Sequence, residues 1–131
     1  MTEREARATL RTLYNAFPGM KIKPVPGLRW SARTKCGRAC LDGNWVKVGP
    51  RCWRGTEASL IHEFSHLLAY RKNPQAHHGV VFFHALVAVA KEHYGNPGSY
   101  PWKTEYTSLV ARAEKQGLLT ITAPAREAAG R

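Results

Sequence analysis

Glu57-Ala58-Ser59-Leu60-Ile61-His62-Glu63-Phe64-Ser65-His66-Leu67-Leu68-Ala69-Tyr70 is the stretch on which the reading of this chain turns. Leu60, Ile61, Phe64, Leu67 and Leu68 recur at helical spacing and form one apolar stripe. At about 3.6 residues per turn, His62 and His66 share a face nearly opposite that stripe. Ala58, Ser59, Ser65 and Ala69 flank the two histidines. The expected helix therefore packs one side into a core and leaves the other polar, narrow and open to close approach.

Two imidazoles one turn apart can bind one metal ion together, and Glu63 projects beside it. This is the His-Glu-x-x-His pattern of zinc hydrolases, with the glutamate placed to take a proton from the attacking water. A catalytic zinc site takes three protein ligands, so a third is expected downstream among His77, His78, His84, Glu92 and His93. Ala69 and Lys72 stand where the metzincin pattern needs glycine and histidine, which excludes that spacing. Glu92, with Lys91 beside it, is the weaker alternative.

His78 is the preferred third ligand. Asn73-Pro74 marks a loop, and a helix is expected from near Gly79 to about His93. Val80, Val81, Phe82, Phe83, Leu86, Val87 and Val89 cover most of its circumference, as in a buried central helix. His78 at its start can reach the ion, and Gly79 lets the backbone come close. His77 remains open as a substitute. His84, roughly 9 Å further along the axis, reads as a buried histidine with a hydrogen-bond partner. His93 reads as a C-terminal helix residue complementing the dipole.

Upstream, Thr2 with Glu5 forms a capping box, and Ala6, Leu10, Leu13 and Phe17 continue a helical stripe that ends at Pro18-Gly19. Lys21 to Val25 reads as a short strand. Arg29 to Cys40 and Trp45 to Val48 read as two strands joined around Asp42-Gly43. Gly95-Asn96-Pro97-Gly98-Ser99 is a break. Thr104 to Gln116 reads as a last helix stopped by Gly117, and Leu118 to Thr122 as a short strand. The expectation is a single α+β domain over residues 1–122, with helices packed on a small antiparallel sheet, and a mobile tail over 123–131.

The chain has 131 residues and a net charge of +11. Residues 1–55 carry 12 Lys or Arg against 3 acids, and the remainder 8 against 6. Arg29, Arg33, Lys35, Arg38, Lys47, Arg51 and Arg54 are interleaved with Trp30, Trp45 and Trp53. Basic groups with flat rings suit nucleic acid, so the region 29–54 is a candidate nucleic-acid surface; an acidic protein substrate would suit it equally. Three cysteines, Cys36, Cys40 and Cys52, argue against a disulfide framework and read as reduced thiols in or near strands. No stretch is long and apolar enough to span a membrane, and the N-terminus lacks a secretory apolar run, so a cytoplasmic location is expected.

His62-Glu63-Phe64-Ser65-His66 followed by His78-Gly79-Val80-Val81-Phe82 resembles the SprT-like zinc metallopeptidases, the group that includes Spartan-type DNA–protein crosslink proteases. Trp30-Ser31-Ala32-Arg33, Gly37-Arg38 and Trp45-Val46-Lys47-Val48 are similar to the short strands before the active-site helix in that group. The resemblance covers roughly residues 5–95 and implies a zincin-like fold. It implies Zn2+ on His62, His66 and His78, with Glu63 as the general base for peptide-bond hydrolysis. The alternative is a basic nucleic-acid-binding module with a structural or degenerate zinc site. Tyr70, Tyr94, Tyr100 and Tyr106 are the candidate donors to the oxyanion.

Overall fold

The computed structural model describes residues 1–119. Helix α1 (Glu3–Ala16) starts at the expected capping box: Thr2 Oγ1 accepts from the Glu5 amide at 3.1 Å, and the Thr2 amide donates to Glu5 Oε1 at 2.9 Å. Ala6, Leu10 and Leu13 are buried, and the half-buried Phe17 just beyond packs against Phe64. The expected strand at Lys21–Val25 is absent. A 3-10 turn occupies Pro18–Ile22 and turns Met20 into the core while Ile22 stands 73% exposed. Pro24 and Pro26 lack the amide donors that a strand ladder needs.

The sheet is mixed, which corrects the antiparallel expectation. The stretch Arg29–Cys40 is not one strand but two, β1 (Gly27–Trp30) and β2 (Arg38–Cys40), separated by a loop. Local bonds turn the chain between them: the Thr34 amide donates to Ser31 Oγ at 3.1 Å, and Thr34 Oγ1 donates to the Cys36 carbonyl at 2.7 Å. The strand order is β1-β3-β2, with β3 spanning Trp45–Val48. β1 runs parallel to β3, and β2 runs antiparallel to it. The β2–β3 hairpin around Asp42-Gly43 is as expected, with Cys40 facing Trp45. Where the chain leaves β3 it crosses the end of β1 so closely that a Cβ on Gly49 would lie 1.7 Å from the Ser31 carbonyl oxygen. Only glycine fits that crossing.

Helix α2 (Thr56–Lys72) follows and is the central element. The expected stripe is buried, and so are Ala58, Ser59, His62, Glu63, Ser65 and Ala69 on the face expected to allow close approach. Their small side chains let neighbouring elements approach closely. Ser65 satisfies its hydroxyl by donating to the Ile61 carbonyl at 2.7 Å. Helix α3 (Val80–Tyr94) starts and stops close to expectation, with Gly95 closing it in the left-handed region at φ 80°. It is less enclosed than its apolar sequence predicts: Phe82, Phe83, Leu86 and Val89 are buried against α2, but Val80 is 51% exposed. His84 is exposed as well, which corrects its reading as a buried histidine. His93 lies in the last turn of α3, with Nε2 3.4 Å from Glu57 Oε1.

Two 3-10 turns, Pro97–Ser99 and Trp102–Thr104, lead to α4 (Thr107–Lys115). The last helix therefore begins three residues later than expected and ends before Gly117, at φ 72°. Trp102 is fully enclosed and donates Nε1–H to the Pro97 carbonyl at 2.9 Å. Each such large buried apolar side chain contributes about 1.5–3 kcal/mol of transfer free energy. No helix among the described residues is long and apolar enough to cross a membrane. The expected strand at Leu118–Thr122 lies mostly outside the described residues, with Leu118 and Leu119 in coil, and the tail 123–131 lies wholly outside them.

Candidate metal centre

His62 and His66 stand one turn apart on α2, and His78 arrives from the loop before α3. His66 Nε2 lies 3.2 Å from His62 Nε2 and 3.0 Å from His78 Nε2. Ring nitrogens this close need either a proton or a cation between them. A tetrahedral ion at about 2.0–2.1 Å from each nitrogen would set them roughly 3.3 Å apart, close to the spacing observed. The three imidazoles can therefore hold one metal ion. Among the described residues they are the one such group of His, Cys, Asp or Glu side chains.

The loop from Asn73 to Gly79 fixes His78. Asn73 Oδ1 accepts from the Gln75 amide at 2.9 Å, the Ala76 amide donates to the Asn73 carbonyl, and the Gly79 amide donates to the Ala76 carbonyl. His77 takes a left-handed backbone at φ 44°, and its exposed ring stays out of the cluster. Of the two adjacent histidines, His78 is the one brought to His62 and His66. Glu92 is exposed on α3 and takes no part, and His84 and His93 are also outside the group.

Phe82 supports all three imidazoles. Its ring stacks on His66 at 4.2 Å between centroids and lies 5.0 Å from His62 and 5.1 Å from His78. This explains a phenylalanine one turn after His78. Burial, reinforced by the neighbouring His62 and His78, pushes the His66 pKa down to about 3, and burial lowers His78 as well. Both rings are therefore neutral at ordinary pH, the form in which an imidazole can bind a metal ion.

Glu63 follows His62 and is 6% exposed at the wall of a cleft of about 540 Å³. Burial raises its pKa against the opposing pull of His62 and Arg54, which suits a proton acceptor that must later give the proton up. Gly37 closes over it: a Cβ there would lie 3.0 Å from Glu63 Oε2 and 3.1 Å from its Cγ. The Lys35 carbonyl accepts from the Trp53 amide at 2.8 Å and anchors the loop that carries Gly37. β2 forms one wall of the cleft, and Trp53, Tyr70 and Tyr106 line it elsewhere.

Glu105 has no counterpart in the sequence reading. Its side chain is fully buried, and Oε2 lies 2.6 Å from His62 Nδ1 and 2.5 Å from the Tyr100 hydroxyl. Arg54 Nε is 3.6 Å from the same oxygen, while Arg54 Nη2 donates to the Thr104 carbonyl at 3.2 Å. Burial would raise the Glu105 pKa, but His62, Tyr100 and Arg54 outweigh it and hold the group below its ordinary value. The one signal in the sequence is an acid among Tyr100, Trp102 and Tyr106, and no spacing rule links it to His62.

Of the four tyrosines considered as oxyanion donors, Tyr70 and Tyr106 reach the cleft. Tyr106 is 54% exposed and packs on His78 at 4.2 Å between centroids. Tyr70 donates to Asp42 Oδ1 at 2.9 Å. Tyr100 is committed to Glu105, and Tyr94 is absent from the cleft lining. All three cysteines are free; Cys40 lies in β2, and Cys36 lines the cleft. The chain matches no family model, no curated protein and no solved structure.

Proposed function

We propose that this chain is a zinc-dependent metallopeptidase of the zincin type, with His62, His66 and His78 as ligands and Glu63 as general base. The observation that carries the reading is the convergence of the three Nε2 atoms beside Glu63 in an open cleft. A structural zinc site is closed by four protein ligands, whereas here three imidazoles meet at a cleft wall. The SprT-like resemblance of the two histidine motifs agrees with it.

Zinc, when bound, lowers the pKa of its water and polarises a carbonyl. Glu63 accepts the proton of the attacking water and returns it to the leaving amine. Tyr106, whose ring packs on His78 at the cleft, is the candidate donor to charge on the carbonyl oxygen, since the Tyr70 hydroxyl already donates to Asp42. β2 is an edge strand, with β3 on one side and the cleft along it, so an extended peptide can lie against it by strand addition. The test is Glu63→Gln in zinc-loaded protein. Zinc content should be kept and peptide cleavage should fall by about 10²–10⁴-fold. Unchanged cleavage by that variant, or no cleavage of any polypeptide by the parent, overturns the reading.

A second role, contact with nucleic acid, is favoured by one observation. Arg29, Lys47 and Arg38 stand side by side across the three strands, on the face opposite the buried Val46 and Val48. Like charges directly opposite one another on a sheet are destabilising, and among the described residues none of the three pairs with an acid. Trp45, two residues from Lys47, lies under the Arg29 guanidinium at 3.8 Å. A phosphodiester backbone would relieve that repulsion.

A further inference from the structure

We propose that Glu105 is a positioning residue for the metal site: its carboxylate, locked by Tyr100, holds His62 in the tautomer that turns Nε2 toward the ion. The proposal rests on the zinc reading above and adds residues that lie far from its motifs.

A carboxylate only accepts hydrogen bonds, so the proton in the 2.6 Å contact belongs to His62 Nδ1. In the neutral ring the lone pair is then on Nε2, the atom that faces His66 Nε2 at 3.2 Å. Tyr100 donates to the same Oε2 at 2.5 Å, which fixes the carboxylate in place. Glu105 and Tyr100 come from one short connection between α3 and α4. The same connection supplies Tyr106, whose ring packs on His78. Two of the three ligands are thus braced by residues 100–106, while α2 and the loop before α3 deliver the ligands themselves.

The plainer role for Glu105 is a buried ion pair with Arg54 that fastens this connection to the domain. The geometry disfavours it. The Arg54 contact is the long one at 3.6 Å, and Arg54 Nε has no hydrogen-bond partner among the described residues. Glu105 Oε1 is buried and likewise without one. A carboxylate placed for pairing with a guanidinium would use both oxygens in a fork. This one spends Oε2 on His62 and Tyr100 and leaves Oε1 bare.

Partners of this kind typically change metal affinity by about 10–100-fold when removed. Glu105→Gln is the informative variant, because its amide can donate to Nδ1 and stabilise the tautomer with the proton on Nε2. Zinc affinity, read by competition with a chromophoric chelator, should fall by about 10–100-fold. Tyr100→Phe, which keeps the carboxylate, should show a smaller fall. Leu109→Ala loosens α4 without touching the carboxylate and should leave affinity within about twofold of the parent. Nitrogen-15 spectra of the metal-free parent should place the His62 proton on Nδ1, and this signal should be lost in the glutamine variant.

Equal zinc affinity of parent and Glu105→Gln overturns the proposal, as does an equal fall in Leu109→Ala. If the glutamine variant does not fold, the parent spectrum and Tyr100→Phe decide: a proton on Nε2, or an unchanged affinity, overturns it. If the parent binds no zinc, the zinc reading fails instead, and the same spectra still judge the Glu105–His62 contact.

Discussion

Gly37 is where a single hydrogen atom matters most to the chemistry. It faces Glu63 with no room to spare, because a methyl group there would sit 3.0 Å from Oε2 and 3.3 Å from Ser59 Cβ. Ser59 lies on α2 inside the core, so the crowding falls on the Glu63 side chain and the Gly37 loop. Misplacement of a reacting group by about 1 Å can cost roughly 10²-fold in rate. The contacts at Gly37 ask for a shift of only a few tenths of an ångström, so Gly37→Ala should lower peptide cleavage by less than about 10²-fold while zinc content stays at the parent level. Cleavage at the parent rate would mean that Glu63 is not held by this wall. At this scale much of the candidate site was legible. His62, Glu63 and His66 follow from a four-residue spacing on a helix, and His78 from its place at the start of the next one. Glu105 was not legible, because it is 43 residues from His62 and a contact across the fold leaves no periodicity in the chain.

Among the elements, helices read well and strands poorly, for a physical reason. α1, α2 and α3 announce themselves through local caps and repeats: Thr2 with Glu5, the Leu60–Leu68 stripe, Gly95 past the end of α3. β1 pairs parallel with β3, and such pairing depends on a crossover and on Gly49 clearing Ser31, neither of which a run of residues displays. How far α2 is buried was only partly legible: Ala58, Ser59, Ser65 and Ala69 are packed under neighbouring elements, while His66 and Tyr70 face the cleft. The sheet carries a prediction of its own. If the Arg29–Lys47–Arg38 row binds phosphates, each cation contributes about 0.7–0.9 to the slope of log affinity against log salt. Replacing all three by Gln should weaken single-stranded oligonucleotide binding and flatten that slope by about 2. An unchanged slope would remove the nucleic-acid role from this face.

For the molecule as a whole, the buried imidazole cluster links metal-free stability to pH. His66 has an ordinary value of 6.5 and is pushed down to about 3 in the fold, with burial as the main cause. Between those values the unfolded chain binds a proton that the folded one refuses, so stability falls as pH drops from 6.5 toward about 3. Glu63, raised by burial, works the other way above its ordinary 4.5. Metal-free protein should melt at a lower temperature at about pH 4 than at about pH 6.5, and His66→Ala should show a shallower dependence. Parallel melting curves for parent and variant would show that the imidazole is not sheltered as described.

The aromatic floor formed by Phe82 has one more consequence. The ring is fully enclosed and contacts all three imidazoles, yet it does not line the cleft. An ion seated on those nitrogens would have the Phe82 ring beneath its ligands and the cleft on the other side. Loading and loss of an ion would then share one doorway, and any occupant of the cleft would imprison the cation for as long as it stays bound.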